Sequence, residues 1–179
     1  SSLTPYPESI STEPTLADDE RQLASYAGAL HTFVVDAIPG WVRRLTTDRA
    51  NAGGAAVGAA DLEWAAAATT DLVAPDLMRI LNADVDDGAG SPLAAVRAAV
   101  GPMTDLLQRT GAAQPPRDEF VAKAFPNDPF DLGPAAFSDI AAELHEPGSV
   151  WGAARAHVHL RRRRDQADNP SADSSPSLA

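Results

Sequence analysis

Residues 117–164 read RDEFVAKAFPNDPFDLGPAAFSDIAAELHEPGSVWGAARAHVHLRRRR. This stretch holds four of the five Phe, one of the three Trp, three of the four His and the only Lys. Ala-rich sequence with helical periodicity precedes it, and a polar tail follows. Phe125-Pro126-Asn127-Asp128-Pro129-Phe130-Asp131 is no helix. Each Pro lacks an N–H and drives the residue before it out of the αR region. Asn and Asp beside Pro favour turns through side-chain bonds to nearby backbone. Two Phe flank the segment, so the expectation is a loop pinned to the core by Phe125 and Phe130. Asn127, Asp128 and Asp131 are then expected on its outer side. Gly133-Pro134 signals a helix start. A short helix to about Ile140 should turn Phe137 and Ile140 inward.

Glu146-Pro147-Gly148-Ser149 opens the last helix, expected over about residues 148–165. At ~100° per residue, Val150, Trp151, Ala153, Ala154, Ala156, His157, Val158 and Leu160 share one broad face. Arg155, His159, Arg162 and Arg163 fall opposite. An apolar face that wide predicts a central, buried helix, with His157 inside it and His159 in solvent. The run Arg161–Arg164 reads as cations at a helix C-terminus, or else as a docking patch.

Outward from this stretch, helices dominate. Thr15 is a candidate N-cap, with Asp18, Asp19 and Glu20 in the first turn. Leu23, Tyr26, Leu30, Phe33, Val34, Ala37 and Ile38 follow at three-and-four spacing, with His31 at the edge of that seam. Pro39-Gly40 should break or kink this helix before a second piece, Trp41–Arg49. Ala52–Ala60 reads as a flexible small-residue linker. Asp61–Leu81 is helical, with a restart expected at Pro75. Asn82–Ser91 is acidic and Gly-rich, but Asp87 stands where a calcium loop needs Gly and Leu93 where it needs Glu. Ser91-Pro92 starts a helix that should kink at Pro102 and end at Gly111. The expected fold is all-α: an antiparallel helical bundle with kinked helices and a Pro/Phe-rich loop before the last helices. The expected division is an extended arm (1–14), one helical domain (15–165) and a disordered tail (166–179).

Pro39-Gly40-Trp41 resembles the turn near the start of DinB-like, mycothiol-dependent enzymes, which are metal-binding helical bundles. The resemblance covers those three residues. It implies a metal-binding His soon after the turn, and Val42 to Ala60 contains none.

Composition narrows the function. The net charge is −11, which leaves no cationic surplus to displace counterions from nucleic acid. The chain has no Cys; thiol chemistry and Cys-based metal sites are excluded, and a reducing, cytoplasmic setting fits. The most apolar region, Ala50–Ala74, is interrupted by Asp61, Glu63 and Asp71 and cannot span a membrane. No nucleophile motif is present, and no His pair has the i, i+4 spacing of a zinc helix. The expectation is therefore a non-catalytic protein without metal or cofactor that binds another protein as an adaptor, regulator or small subunit, alone or as an oligomer. Phe125, Asn127, Asp128, Phe130, Asp131, Trp151 and Arg155 are the candidate partner-binding residues. The alternatives are a bundle holding a small apolar ligand around His157, and a metal-dependent enzyme using His145 and His157.

Overall fold

The computed structural model describes residues 13–83 and 90–169. Among them the regular elements are all helical: α1 (Leu16–Ala52), α2 (Ala59–Asn82), α3 (Pro92–Ala98), α4 (Gly101–Arg109), α5 (Glu119–Ala124), α6 (Phe137–Ile140), a 3₁₀ turn (Ala142–Leu144) and α7 (His145–Asp168). None of the described helices is long and apolar enough to cross a membrane. The arm and the calcium-like segment fall largely outside the described residues, as does most of the tail; α7 itself runs three residues past the expected end at 165.

α1 starts at a capping box. Thr15 Oγ1 accepts from the Asp18 N–H at 3.2 Å, and Asp18 Oδ2 accepts from the Thr15 N–H at 3.0 Å. Two orphan donors of the first turn are thereby satisfied. The helix then buries Ala27, Leu30, Val34, Ile38, Trp41, Val42 and Ala50. Pro39 does not end it, contrary to the sequence expectation. A proline deletes one i→i−4 bond and crowds the preceding turn. Ile38, Trp41 and Val42 stay on one buried face across it, so tertiary packing carries the helix through. Pro75 likewise lies inside an unbroken α2, between buried Val73 and Leu77. Pro102 behaves differently. It follows Gly101, and the run expected as one kinked helix splits into α3 and α4 around Ala99-Val100.

α1 packs on both α2 and α7. Arg43 bonds Glu63 at 2.6 Å and 3.1 Å, while His31 Nε2 donates to the Ala74 carbonyl at 2.7 Å. These bonds run in opposite order along α1 and α2, as in an antiparallel pair. Ala52–Ala60 is not the free linker its composition suggests. The Ala113 N–H donates to the Gly53 carbonyl at 3.0 Å, and a Cβ on Gly53 would stand 2.7 Å from the Ala113 backbone. Beyond α4 the chain turns through Gly111 at φ 74, where the Gly111 and Ala112 N–H groups cap the Gln108 and Leu107 carbonyls. That left-handed cap ends the helix where the sequence says it should.

α7 departs most from its pattern. Only Gly148, Trp151 and Val158 are buried on it; Leu160 is 61% exposed. The expected central helix is a peripheral one. Its broad apolar face is built largely of Ala, and helical phase alone does not oblige short side chains to be covered. The helix also starts three residues early, because Pro147 fits the first turn, where its N–H is not needed. Gly148 is held against Phe137: a Cβ there would sit 2.5 Å from the ring.

Candidate functional site

The loop around residues 117–140 is fastened by arginines onto backbone carbonyls. Asp118 caps α5 by accepting from the Val121 N–H at 2.8 Å. Arg117 donates to the Val121 and Phe125 carbonyls at 3.1 Å and 2.8 Å. Arg49 of α1 donates to the carbonyls of Phe130 (2.9 Å) and Asp131 (3.0 Å). Arg97 of α3 reaches the Pro134 carbonyl at 2.9 Å, and Arg44 reaches that of Ile140 at 3.0 Å. A guanidinium is suited to this, since its planar fork meets two carbonyls at once.

Phe130 is 1% exposed and anchors the loop as expected. Phe125 does not join the core. It is 40% exposed and lies under the Arg97 guanidinium, 4.4 Å from ring centroid to Cζ. Asn127 is exposed, as expected. Asp128 turns inward instead of outward: its carboxylate accepts from the Leu132 N–H at 2.9 Å and the Gly133 N–H at 2.7 Å. Asp131 is exposed and adopts φ 54, a left-handed conformation that short polar side chains tolerate better than most.

A cleft of about 450 Å³ runs beside this loop, lined in part by Trp41, Arg49, Arg97, Phe125, Asp128 and Asp139. Most of its polar groups are already engaged. Arg49, Arg97 and Asp128 hold backbone as described, and Asp139 accepts from the Ala135 and Ala136 N–H groups at 2.9 Å and 3.0 Å. The cleft is a joint between elements.

The remaining candidates lie elsewhere. Trp151 is a core residue. Arg155 covers its ring at 5.1 Å and lines a different cavity, between α1, the end of α2 and α7. His157 is not buried as expected: its side chain is 64% exposed, on an open groove that Tyr26, Val150, Ala154 and Val158 also line. His159, expected in solvent, is the partly buried one and lines the same cavity as Arg155. The two histidines exchange the environments that helical phase assigned them, because α1 meets α7 along the edge carrying Val158 and Arg162.

Where His157 does find a partner, it finds Asp19. Asp19 is buried and accepts from Arg161 Nη1 at 2.7 Å and His157 Nε2 at 3.1 Å. Next to it, Arg162 Nε donates to Glu20 at 3.0 Å. The Arg161 hydrogen bond, with help from His157 and both charges, holds the Asp19 carboxyl below its ordinary value of 3.8 against the opposing effect of burial. Half of the Arg161–Arg164 run is thus an inter-helix clamp onto the first turn of α1, a use that neither a helix-end nor a docking-patch reading foresees. His145 and His157 both stand on α7, twelve residues apart, which is about 18 Å along the axis. They cannot share a metal ion. Among the described residues no three His, Asp or Glu side chains gather as a metal site.

Comparison with protein-family models, with curated proteins and with solved structures gives no match to this chain. The arginine–carbonyl fastenings were not legible in the sequence; the available signal was the choice of Arg over Lys, 13 to one.

Proposed function

We propose that the protein acts by binding another protein, through the face that α5 and the first half of the following loop present. One observation carries this reading: Phe120 is 88% exposed, on a helix that buries none of its residues. A Phe ring in water forfeits a large apolar contribution, and burying it against a partner recovers that. Phe125 and Asn127 are exposed close by in sequence. Arg117 ties α5 to the Phe125 carbonyl, and Arg97 covers the Phe125 ring at the near end of this face. The occupant fits a protein other than a second copy. Two chains of net charge −11 repel each other, whereas a basic protein with an apolar pocket for Phe120 is attracted.

The test is affinity capture from the producing cells, compared across variants. Phe120→Asp should abolish recovery of a stoichiometric basic partner and leave Tm within a few degrees, because no buried contact is lost. Phe33→Asp, at another exposed aromatic on α1, should leave recovery intact. Recovery that survives Phe120→Asp sinks the assignment.

A further inference from the structure

A second surface carries its own chemistry. The cavity between α1, the end of α2 and α7 has a volume of about 180 Å³, below the ~300–1,000 Å³ of sites for drug-sized ligands. Its floor is apolar: Leu23, Ala24, Ala27, Leu81 and Val158. Its polar lining has Arg155, His159 and Arg162 on the α7 side and, among the described residues, Asn82 and one carboxylate, Glu20. Glu20 is engaged by Arg162 at 3.0 Å.

Arg155 is the unexplained group. It forms no ion pair among the described residues. Its Nε is closed off from solvent and has no hydrogen-bond partner among them. Its recorded contact is the Trp151 ring, which attracts a cation and accepts no in-plane N–H bond. The closed-off Nε is as shut to a ligand as to water, so the donors on offer in the cavity are those of the Nη groups, which no carbonyl or carboxylate among the described residues takes. The other arginines bonded around the fold are spent on carbonyls or carboxylates; Arg155 is not.

We infer that this cavity binds a small organic carboxylate, with its carboxyl group on Arg155 and its short apolar tail on Leu23, Ala27, Leu81 and Val158. A monoanion fits better than a phosphate. The floor offers nothing to a phosphate's other oxygens, and Glu20 at the rim opposes a second negative charge. His159 and Arg162 stand at the same lining, Arg162 being already engaged with Glu20. This site is separate from the α5 face, and either can hold without the other.

Butyrate is the probe, titrated by calorimetry against the full chain, with inorganic phosphate as the comparison. Saturable butyrate binding is expected, weakened at least about tenfold by Arg155→Gln. Ala24→Leu adds bulk to the apolar lining from an exposed helical position and should weaken it comparably without touching a charge. Arg163→Gln, off the cavity, should change nothing. Binding that ignores Arg155→Gln and Ala24→Leu overturns the site, and phosphate binding more tightly than butyrate overturns the ligand class. Asp84, Asp86 and Asp87 follow Ala83 in sequence and lie outside the described residues. If butyrate binds only once these three are changed to Asn, the chain's own carboxylates occupy Arg155 and the inference fails.

Discussion

The loop at 125–140 and helix α7 invert the usual relation between regularity and burial. The loop is irregular and Pro-rich. Yet it buries Phe130, Leu132 and Ile140 and has its carbonyls held by Arg44, Arg49 and Arg97. α7 is 24 residues of unbroken helix that buries three of them. It is joined to the rest of the core through Trp151 and to α1 through the ion pairs of Asp19 and Glu20. A helix satisfies its own backbone and can therefore lie at the edge. A loop cannot, so one that stays ordered must borrow partners from its neighbours. The fastened loop follows directly on the α5 face proposed for a partner. The lightly packed helix leaves the gap where Arg155 stands unpaired.

The sharpest way to break this contrast is a matched pair of truncations. Phe130→Ala should cost about 3–5 kcal/mol, as a fully buried aromatic does. Leu160→Ala, in the regular helix, should stay within ~0.5 kcal/mol. Urea unfolding of the two variants measures both, and equal costs would remove the distinction. A smaller effect separates two aspartates three residues apart. Asp128→Ala strips the acceptor from the Leu132 and Gly133 N–H groups and should cost about 1–3 kcal/mol. Asp131→Gly should be neutral or slightly stabilising, since glycine adopts φ 54 without penalty. The same unfolding curves report it.

The smallest effect belongs to α7 and depends on pH. Asp19 is held below its ordinary value by Arg161 and His157. A depressed carboxylate contributes stability that is complete above the ordinary value near 3.8 and lost as pH falls through the lowered one. Asp18, lowered by its bonds to Thr15, and Glu63, lowered by Arg43, add in the same direction. Asp19→Asn should lower Tm by a few degrees at pH 7, and the gap to the unaltered chain should close as the solution is acidified below the ordinary Asp range. A gap that stays constant with pH would show that the clamp does not act through the Asp19 charge.

Much of the fold was legible in the residues. Thr15 and Asp18 mark the start of α1, Ser91-Pro92 that of α3 and Gly111 the end of α4, because these signals act through bonds within a few residues. The candidate site was legible only in part. Phe130 was read correctly as an anchor and Asn127 as exposed. Phe125 and His157 were not, since each is placed by a residue distant in sequence, Arg97 for Phe125 and Asp19 for His157; Asp128 is turned inward by a local bond to the Leu132 and Gly133 N–H groups, whose direction the turn signal does not give.

By itself the sequence determined an all-α chain, its caps and turns, and an acidic, Cys-free composition that excludes thiol chemistry. These follow from propensity and local hydrogen bonding. Tertiary structure alone decided that Pro39 and Pro75 leave their helices whole, that Gly101-Pro102 does not, and that α7 lies at the edge. It also decided which arginines are spent on carbonyls and that Arg155 is not one of them. Periodicity gives the phase of a helix, but how much of that face is covered depends on the neighbours that reach it.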